Sequence, residues 1–222
     1  MRRLLLDTAN PTILCVGAHS DDIEIGAGAT LLHLLDTSPG ASVHWVVFSV
    51  EGERQTEGRK SAGLFAGEQL ASFSVHAFRD GFFPASFGEI KEEFRTLQKT
   101  VDPDLIFTHW RQDLHQDHRL IAELTGQTFR NHLTLEYEIL KYDGGLGSPN
   151  LYAPVDTTDA DRKVDYLLEA FASQHDKYWF SEETFRALMR VRGVECRSSS
   201  GYAEAFYNYK SVLGGSGSSS TT

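Results

Sequence analysis

Cysteine is scarce. Cys15 and Cys196 are the two in 222 residues, too few for a disulfide framework. That usage fits a reducing compartment, so a cytoplasmic location is expected. Long apolar runs are also missing, which excludes a membrane-spanning helix. The basic start Met1-Arg2-Arg3 leads into Leu4-Leu5-Leu6, but that run stops at Asp7, too short for a signal peptide. Positive charge is in the minority. The 21 Lys and Arg face 31 Asp and Glu, a net charge of -10, which argues against a broad nucleic-acid face or an anionic membrane partner. What remains is the composition of an ordinary globule, 41% hydrophobic and 23% charged. A chain of this length closes a full core, and one domain is expected over 1–213. Residues 214–222 are only Gly, Ser and Thr and read as a flexible tail.

Apolar runs bounded by turn signals predict strands at Ile13–Val16, Val43–Val50, Ser72–Phe78, Leu105–Thr108 and Leu135–Tyr142. Helical spacing predicts helices at Glu24–Leu35, Arg59–Leu70, Phe87–Thr100, Arg119–Asn131, Asp159–Gln174 and Ser181–Val191, the last with Ser181 as N-cap. This order of strand, loop and helix predicts an α/β protein: a Rossmann-like three-layer fold, with a mostly parallel sheet flanked by helices. Polar clusters follow the strands, so they converge at one edge of the sheet, where α/β proteins bind ligands.

Two clusters carry the chemistry. Gly17-Ala18-His19-Ser20-Asp21-Asp22 joins the first strand to the first helix. Asp113-Leu114-His115-Gln116-Asp117-His118 follows the fourth strand. Ionisable groups packed that closely destabilise a fold unless something offsets them, and a divalent cation is the simplest candidate. His19, Asp22 and His118 form a two-His, one-carboxylate set that suits zinc and leaves positions open for water and substrate. Fe2+ and other divalent ions fit the same set. Asp21 is placed to act as general base and then acid, and His115, if protonated, to stabilise an oxyanion. Asp117 or Asp113 can accept from an imidazole and fix its tautomer. Taken singly, Asp21, Asp22 and Asp117 also read as helix caps, and His115 and His118 as a surface pair. Both clusters standing after strands favour the site. His109 is left out of it.

The stretch Ala18-His19-Ser20-Asp21-Asp22-Ile23-Glu24-Ile25-Gly26-Ala27-Gly28 resembles the A-H-P-D-D-x-E-x-G-x-G signature of the zinc-dependent LmbE/PIG-L N-acetylglucosaminyl deacetylases. Residues 113–118 resemble that family's second signature. Arg59 with Ala66 and Leu70, Asp80-Gly81, and Gly201-Tyr202-Ala203-Glu204-Ala205-Phe206 extend the likeness over about residues 12 to 210. The resemblance implies that His19, Asp22 and His118 hold zinc. It implies Asp21 as general base, His115 as oxyanion stabiliser with Asp117 tuning it, and Arg59 and Asp80 as substrate contacts. The implied reaction removes an N-acetyl group from a 2-acetamido sugar or sugar conjugate, with a small-molecule amino sugar as partner and the oligomeric state left open. Ser20 stands where the signature has Pro, Ala62 where the family often has Glu, and Asp113 where some members carry Tyr, so Asp113 receives no catalytic role. Arg54, Arg59, Arg79 and Arg111 are candidates for the mouth of the pocket, and Tyr178-Trp179-Phe180 for interface, lid or core. Two other readings compete. One is a catalytically silent, metal-stabilised module that binds sugar or nucleotide. The other is a non-haem Fe(II) enzyme using the same ligands.

Overall fold

A computed structural model describes residues 6, 8–50 and 52–212. The expected tail, 214–222, lies outside the described residues, as does Glu51 in the loop after the second strand. The strands are β1 (Thr12–His19), β2 (Ser42–Ser49), β3 (Leu70–Val75), β4 (Leu105–His109), β5 (Leu133–Tyr137), β6 (Leu151–Val155) and β7 (Tyr202–Asn208). The helices are α1 (Asp22–Thr37), α2 (Glu53–Ala66), α3 (Phe87–Thr100), α4 (Gln116–Thr128), α5 (Thr157–Ala170) and α6 (Glu182–Cys196). Among the described residues, no helix is long and apolar enough to cross a membrane.

One sheet runs β3-β2-β1-β4-β5-β7-β6. The first five strands in that order are parallel, while β7 pairs antiparallel with both β5 and β6. The α/β expectation therefore holds. The antiparallel edge is the part that the sequence pattern missed, because β6 is short, half-buried and interrupted by Pro154.

Alternation along β1 divides the core in two. Ile13 and Cys15 face α1, α2, α5 and α6, joined by Trp45, Phe65, Leu167 and Phe185. Leu14, Val16 and Ala18 face α3 and α4, joined by Phe48, Phe94, Ile121 and Leu124. With both faces covered, the central strands read as continuous apolar runs. α1 lies very close to the sheet and to α2. A side chain at Gly26 would collide with Tyr137, and one at Gly28 would come within 2.7 Å of Phe65.

The starts of α1, α2 and α4 precede the sequence expectation, and each of these shifts brings polar residues into the site. α1 begins at Asp22, α2 at Glu53 and α4 at Gln116. The early start of α2 follows from Gly52, whose φ of 56° suits a residue without Cβ. Apolar spacing is silent there, since the first turn of α2 is wholly polar. α3 occupies its expected span, and Ser181 caps α6 by accepting from the Thr184 amide at 3.3 Å. β5 ends at Tyr137, so Ile139 to Tyr142 are released from the sheet.

A buried ion pair ties the C-terminal strand to α1. Lys163 Nζ donates to Glu204 Oε1 at 2.6 Å, and both side chains are 3% exposed. Glu204 also accepts from the Ala29 and Thr30 amides, while Lys163 donates to the Ile25 carbonyl. Removing one member of such a pair leaves an uncompensated buried charge. Lys163→Met is expected to lower the unfolding free energy by about 3–5 kcal/mol, read as a lower urea midpoint at an unchanged slope. An unchanged midpoint would show that the pair adds no stability.

Candidate active site

The central crevice lies where β1 and β4 part their connections to opposite sides, the switch point of an α/β sheet. β1 delivers His19 there and β4 delivers His109. The first turns of α1 and α4 add Asp22 and His118. Asp21 occupies the N-cap position of α1, yet its side chain makes no capping bond. Asp22 Oδ2 instead reaches back to accept from the His19 amide at 2.7 Å.

These elements bring three ligand-type groups together. His19 Nδ1 lies 3.2 Å from His118 Nε2 and 3.3 Å from Asp22 Oδ2. Asp22 Oδ1 lies 3.5 Å from His118 Nε2. Zinc–nitrogen and zinc–oxygen bonds of about 2.0–2.2 Å, in a tetrahedral site, separate ligand atoms by about 3.3–3.6 Å. The donor set therefore fits a divalent cation in type and spacing. His19 with His115 and His118, and Asp22 with His109 and His118, also form clusters able to hold a metal ion.

Neighbours set the state of each ring. Burial and the nearby His109 push the His118 pKa down to about 4, although Asp22 and Asp113 act the other way. Asp113 Oδ2 lies 3.2 Å from His118 Nδ1, within ionic range but not aligned as a hydrogen bond. Lys141 Nζ donates to the same oxygen at 2.7 Å. Burial works against ionisation of Asp113, and His118 and Lys141 outweigh it, so its pKa falls. At His19 burial lowers the pKa, but Asp22, Asp117 and Asp80 overcome it and raise the value well above the ordinary one. Asp22 is likewise disfavoured as an anion by burial, yet His118, His109 and His19 hold its pKa well below the usual range. The His115 pKa is lowered, by burial first and then by His118 and His19. The protonated His115 considered from sequence is thus disfavoured, and the neutral ring is the form to expect.

His109, which the sequence pattern leaves out of the site, is central. It is fully buried, its ring stacks on His118 at 3.9 Å, and its Nε2 accepts from the Ala18 amide at 2.9 Å. Its signal in the sequence was its position as the last residue of a strand that runs into the second cluster.

Asp117 does not cap α4 either. Its carboxylate accepts from the Gly81 and Phe83 amides at 2.7 and 3.1 Å and sits 3.5 Å from His19 Nε2. It pins the loop after β3 rather than accepting a hydrogen bond from His115. That loop carries Asp80, whose Oδ1 lies 3.0 Å from His19 Nε2. A cleft of about 300 Å3 opens over these groups, with Asp21, Arg54, Asp80, His115, Lys141 and Trp179 on its walls. Of the four arginines considered for the mouth, Arg54 alone lines it. Arg59 is exposed on α2 with its guanidinium over Phe73, Arg79 stacks on Phe82, and Arg111 pairs with Glu136. In the aromatic stretch, Tyr178 is exposed, Trp179 faces the cleft and Phe180 joins the core.

Residues 14–129, just over half of the 222-residue chain, match the family model described as PIG-L, GlcNAc-PI de-N-acetylase. The chain belongs to the PIG-L family. No curated protein matches it significantly in sequence. Solved structures similar to this PIG-L family member include N,N'-diacetylchitobiose deacetylase from Pyrococcus horikoshii. That match has 20% identity and a TM-score of 0.64, over 88% of this chain and 82% of that one. The zinc-inhibited form of teicoplanin deacetylase Orf2 is similar at 16% identity and TM-score 0.69, over 88% and 97%. GalB, the 4-carboxy-2-hydroxymuconate hydratase from Pseudomonas putida KT2440, is similar at 17% identity and TM-score 0.66, over 92% and 98%. At these identities the likeness is one of fold.

The raised pKa of His19 gives the PIG-L site a measurable property. Its acidic neighbours favour the protonated form of His19 in the metal-free site, and a cation held between His19, Asp22 and His118 would displace that proton. Calorimetric titration of Zn2+ in buffers of different ionisation enthalpy is expected to show release of about one proton per metal. Metal binding with no proton release would contradict this arrangement.

Proposed function

We propose that this chain is a zinc-dependent N-deacetylase acting on a 2-acetamido sugar or sugar conjugate. The observation that carries the reading is the meeting of His19, Asp22 and His118 atoms at 3.2–3.5 Å beside the carboxylate of Asp21, in one open cleft. Membership in the PIG-L family and the fold shared with two deacetylases support it.

A divalent cation at that set supplies an activated water and polarises the amide carbonyl. Asp21 takes the proton from the attacking water and passes it to the departing amine, so water and amide become acetate and free amine. His115, as a neutral ring, donates an N–H to the oxyanion that develops on the carbonyl oxygen. Asp113, itself engaged by Lys141, faces the outer nitrogen of His118 at 3.2 Å, where the outer partner of a ligand stands. Asp80, at the rim, accepts from a sugar hydroxyl. Arg59 has no place in this scheme, because its guanidinium lies on Phe73 away from the cleft.

Fold alone does not choose the reaction, and GalB, a hydratase, has a similar fold. A group that moves a proton from water serves hydration as well as hydrolysis. Acetate release from a panel of N-acetylated sugars and conjugates, with and without chelator, decides between them. Chelation is expected to abolish release and Zn2+ to restore it. Asp21→Asn is expected to keep the metal content and lower kcat by about 10²–10⁴-fold. His115→Ala is expected to lower kcat by about 10²–10³-fold. Undiminished turnover in Asp21→Asn would remove the base from the scheme, and hydration without acetate release would replace the reaction.

A further inference from the structure

The general base is itself held by a second side chain. Asp21 is 5% exposed and lies against α2, where Arg54 occupies the first turn. Arg54 donates from one terminal nitrogen to Asp21 Oδ1 at 2.7 Å and from Nε to Ser20 Oγ at 2.8 Å. Ser20 is 1% exposed and has Gly58 of α2 close over it, where an added Cβ would lie 3.2 Å from the Ser20 Cβ. The guanidinium thus spans the two residues that join His19, the last of β1, to Asp22, the first of α1. Oδ2 of Asp21 has no hydrogen-bond or ion-pair partner among the described residues.

We propose that Arg54 and Ser20 form a clamp that positions Asp21, leaving Oδ2 as the oxygen that moves the proton. This rests on the reading of Asp21 as general base. Three pieces of chemistry lead to it. A planar fork holds its acceptors in a fixed relative geometry, which a lysine ammonium cannot do. A buried carboxylate with one oxygen engaged has one oxygen left for proton transfer, so the clamp selects the oxygen as well as the rotamer. Proline at position 20 would have no side-chain acceptor, so the serine in this chain is what gives the fork its second anchor. The clamp also occupies the sole arginine of the four considered that reaches the cleft, so Arg54 is a positioning residue and not an anion receptor for substrate.

The test measures kcat, KM, zinc stoichiometry and thermal midpoint for Arg54→Ala, Arg54→Lys, Ser20→Ala and Asp21→Asn, singly and with Arg54→Ala in the Asp21→Asn background. Misplacement of a reacting group by about 1 Å lowers rates by about 10²-fold. Arg54→Ala is therefore expected to lose about 30–100-fold in kcat with KM and zinc content near those of the parent. Arg54→Lys and Ser20→Ala, which keep the charge or most of the contact, are expected to lose about 3–10-fold. Millimolar guanidinium is expected to restore part of the kcat of Arg54→Ala and to do nothing for Asp21→Asn. The double variant is expected to be no slower than Asp21→Asn alone, because residues acting through one group are not additive. Parental kcat in both Arg54→Lys and Ser20→Ala, with Asp21→Asn still inactive, would overturn the clamp and leave the base intact. Parental kcat in Asp21→Asn would overturn the base reading itself. If Arg54→Ala does not fold, the Lys and Ser20 variants carry the same decision.

Discussion

Two imidazole nitrogens 3.2 Å apart, both against one buried carboxylate, set the terms for everything around them. Only one hydrogen fits between such nitrogens. Left to themselves, the groups would be driven apart by desolvation and by the like charge of protonated rings. The surrounding contacts oppose that. The Ala18 amide donates to His109, and Asp113 with Lys141 steadies the far side of His118. Asp80 and Asp117 face the outer nitrogen of His19. The first turns of α1 and α4 lie at the site, where helix dipoles favour the carboxylates of Asp22 and Asp117. The result is a site whose donor atoms are already spaced for a cation, so little reorganisation is needed to receive one.

The C-terminal third of the described chain supports this site from behind and walls it from the side. Glu204, on β7, reaches the middle of α1 with Lys163 of α5, and so fixes the helix that starts at Asp22. Arg192 of α6 pairs with Glu138, just past the end of β5. The segment that follows β5 presents Ile139, Lys141 and Tyr142 to the cleft, and Trp179 comes from the turn before α6. Metal-type ligands thus stand on the parallel half of the sheet, while the opposing wall comes from the less regular half. That division leaves the wall free to vary, since loops on a rigid scaffold can change without moving the ligands.

Local pattern in the sequence revealed much of this. β1 and β4 were readable because both faces are buried and their apolar runs are unbroken, and the half-exposed β3 because apolar and polar residues alternate along it. α3 was readable because its apolar and charged faces alternate at helical spacing and no polar site interrupts it. His19, Asp22 and His118 stood out because they follow strands, and strands of a parallel sheet end on the same side. Apolar spacing places the starts of α1, α2 and α4 too late for one reason. A helix turn that builds a site is polar, so hydrophobic spacing does not mark it. His109 was passed over because a histidine at the end of a strand looks the same whether it faces solvent or the core. Arg59 and Arg54 could not be told apart by composition, since five residues along a helix change the direction in which a side chain leaves it.

The sequence by itself determined the class of fold and the family, because both depend on which residue types follow one another along the chain. Tertiary structure alone decided which imidazoles face each other, which arginine meets Asp21, and that Asp117 secures a loop instead of a helix end. Those outcomes depend on where a helix begins and on the direction a side chain takes from it. They are settled only when the sheet has brought residues ninety and more positions apart to within hydrogen-bond distance.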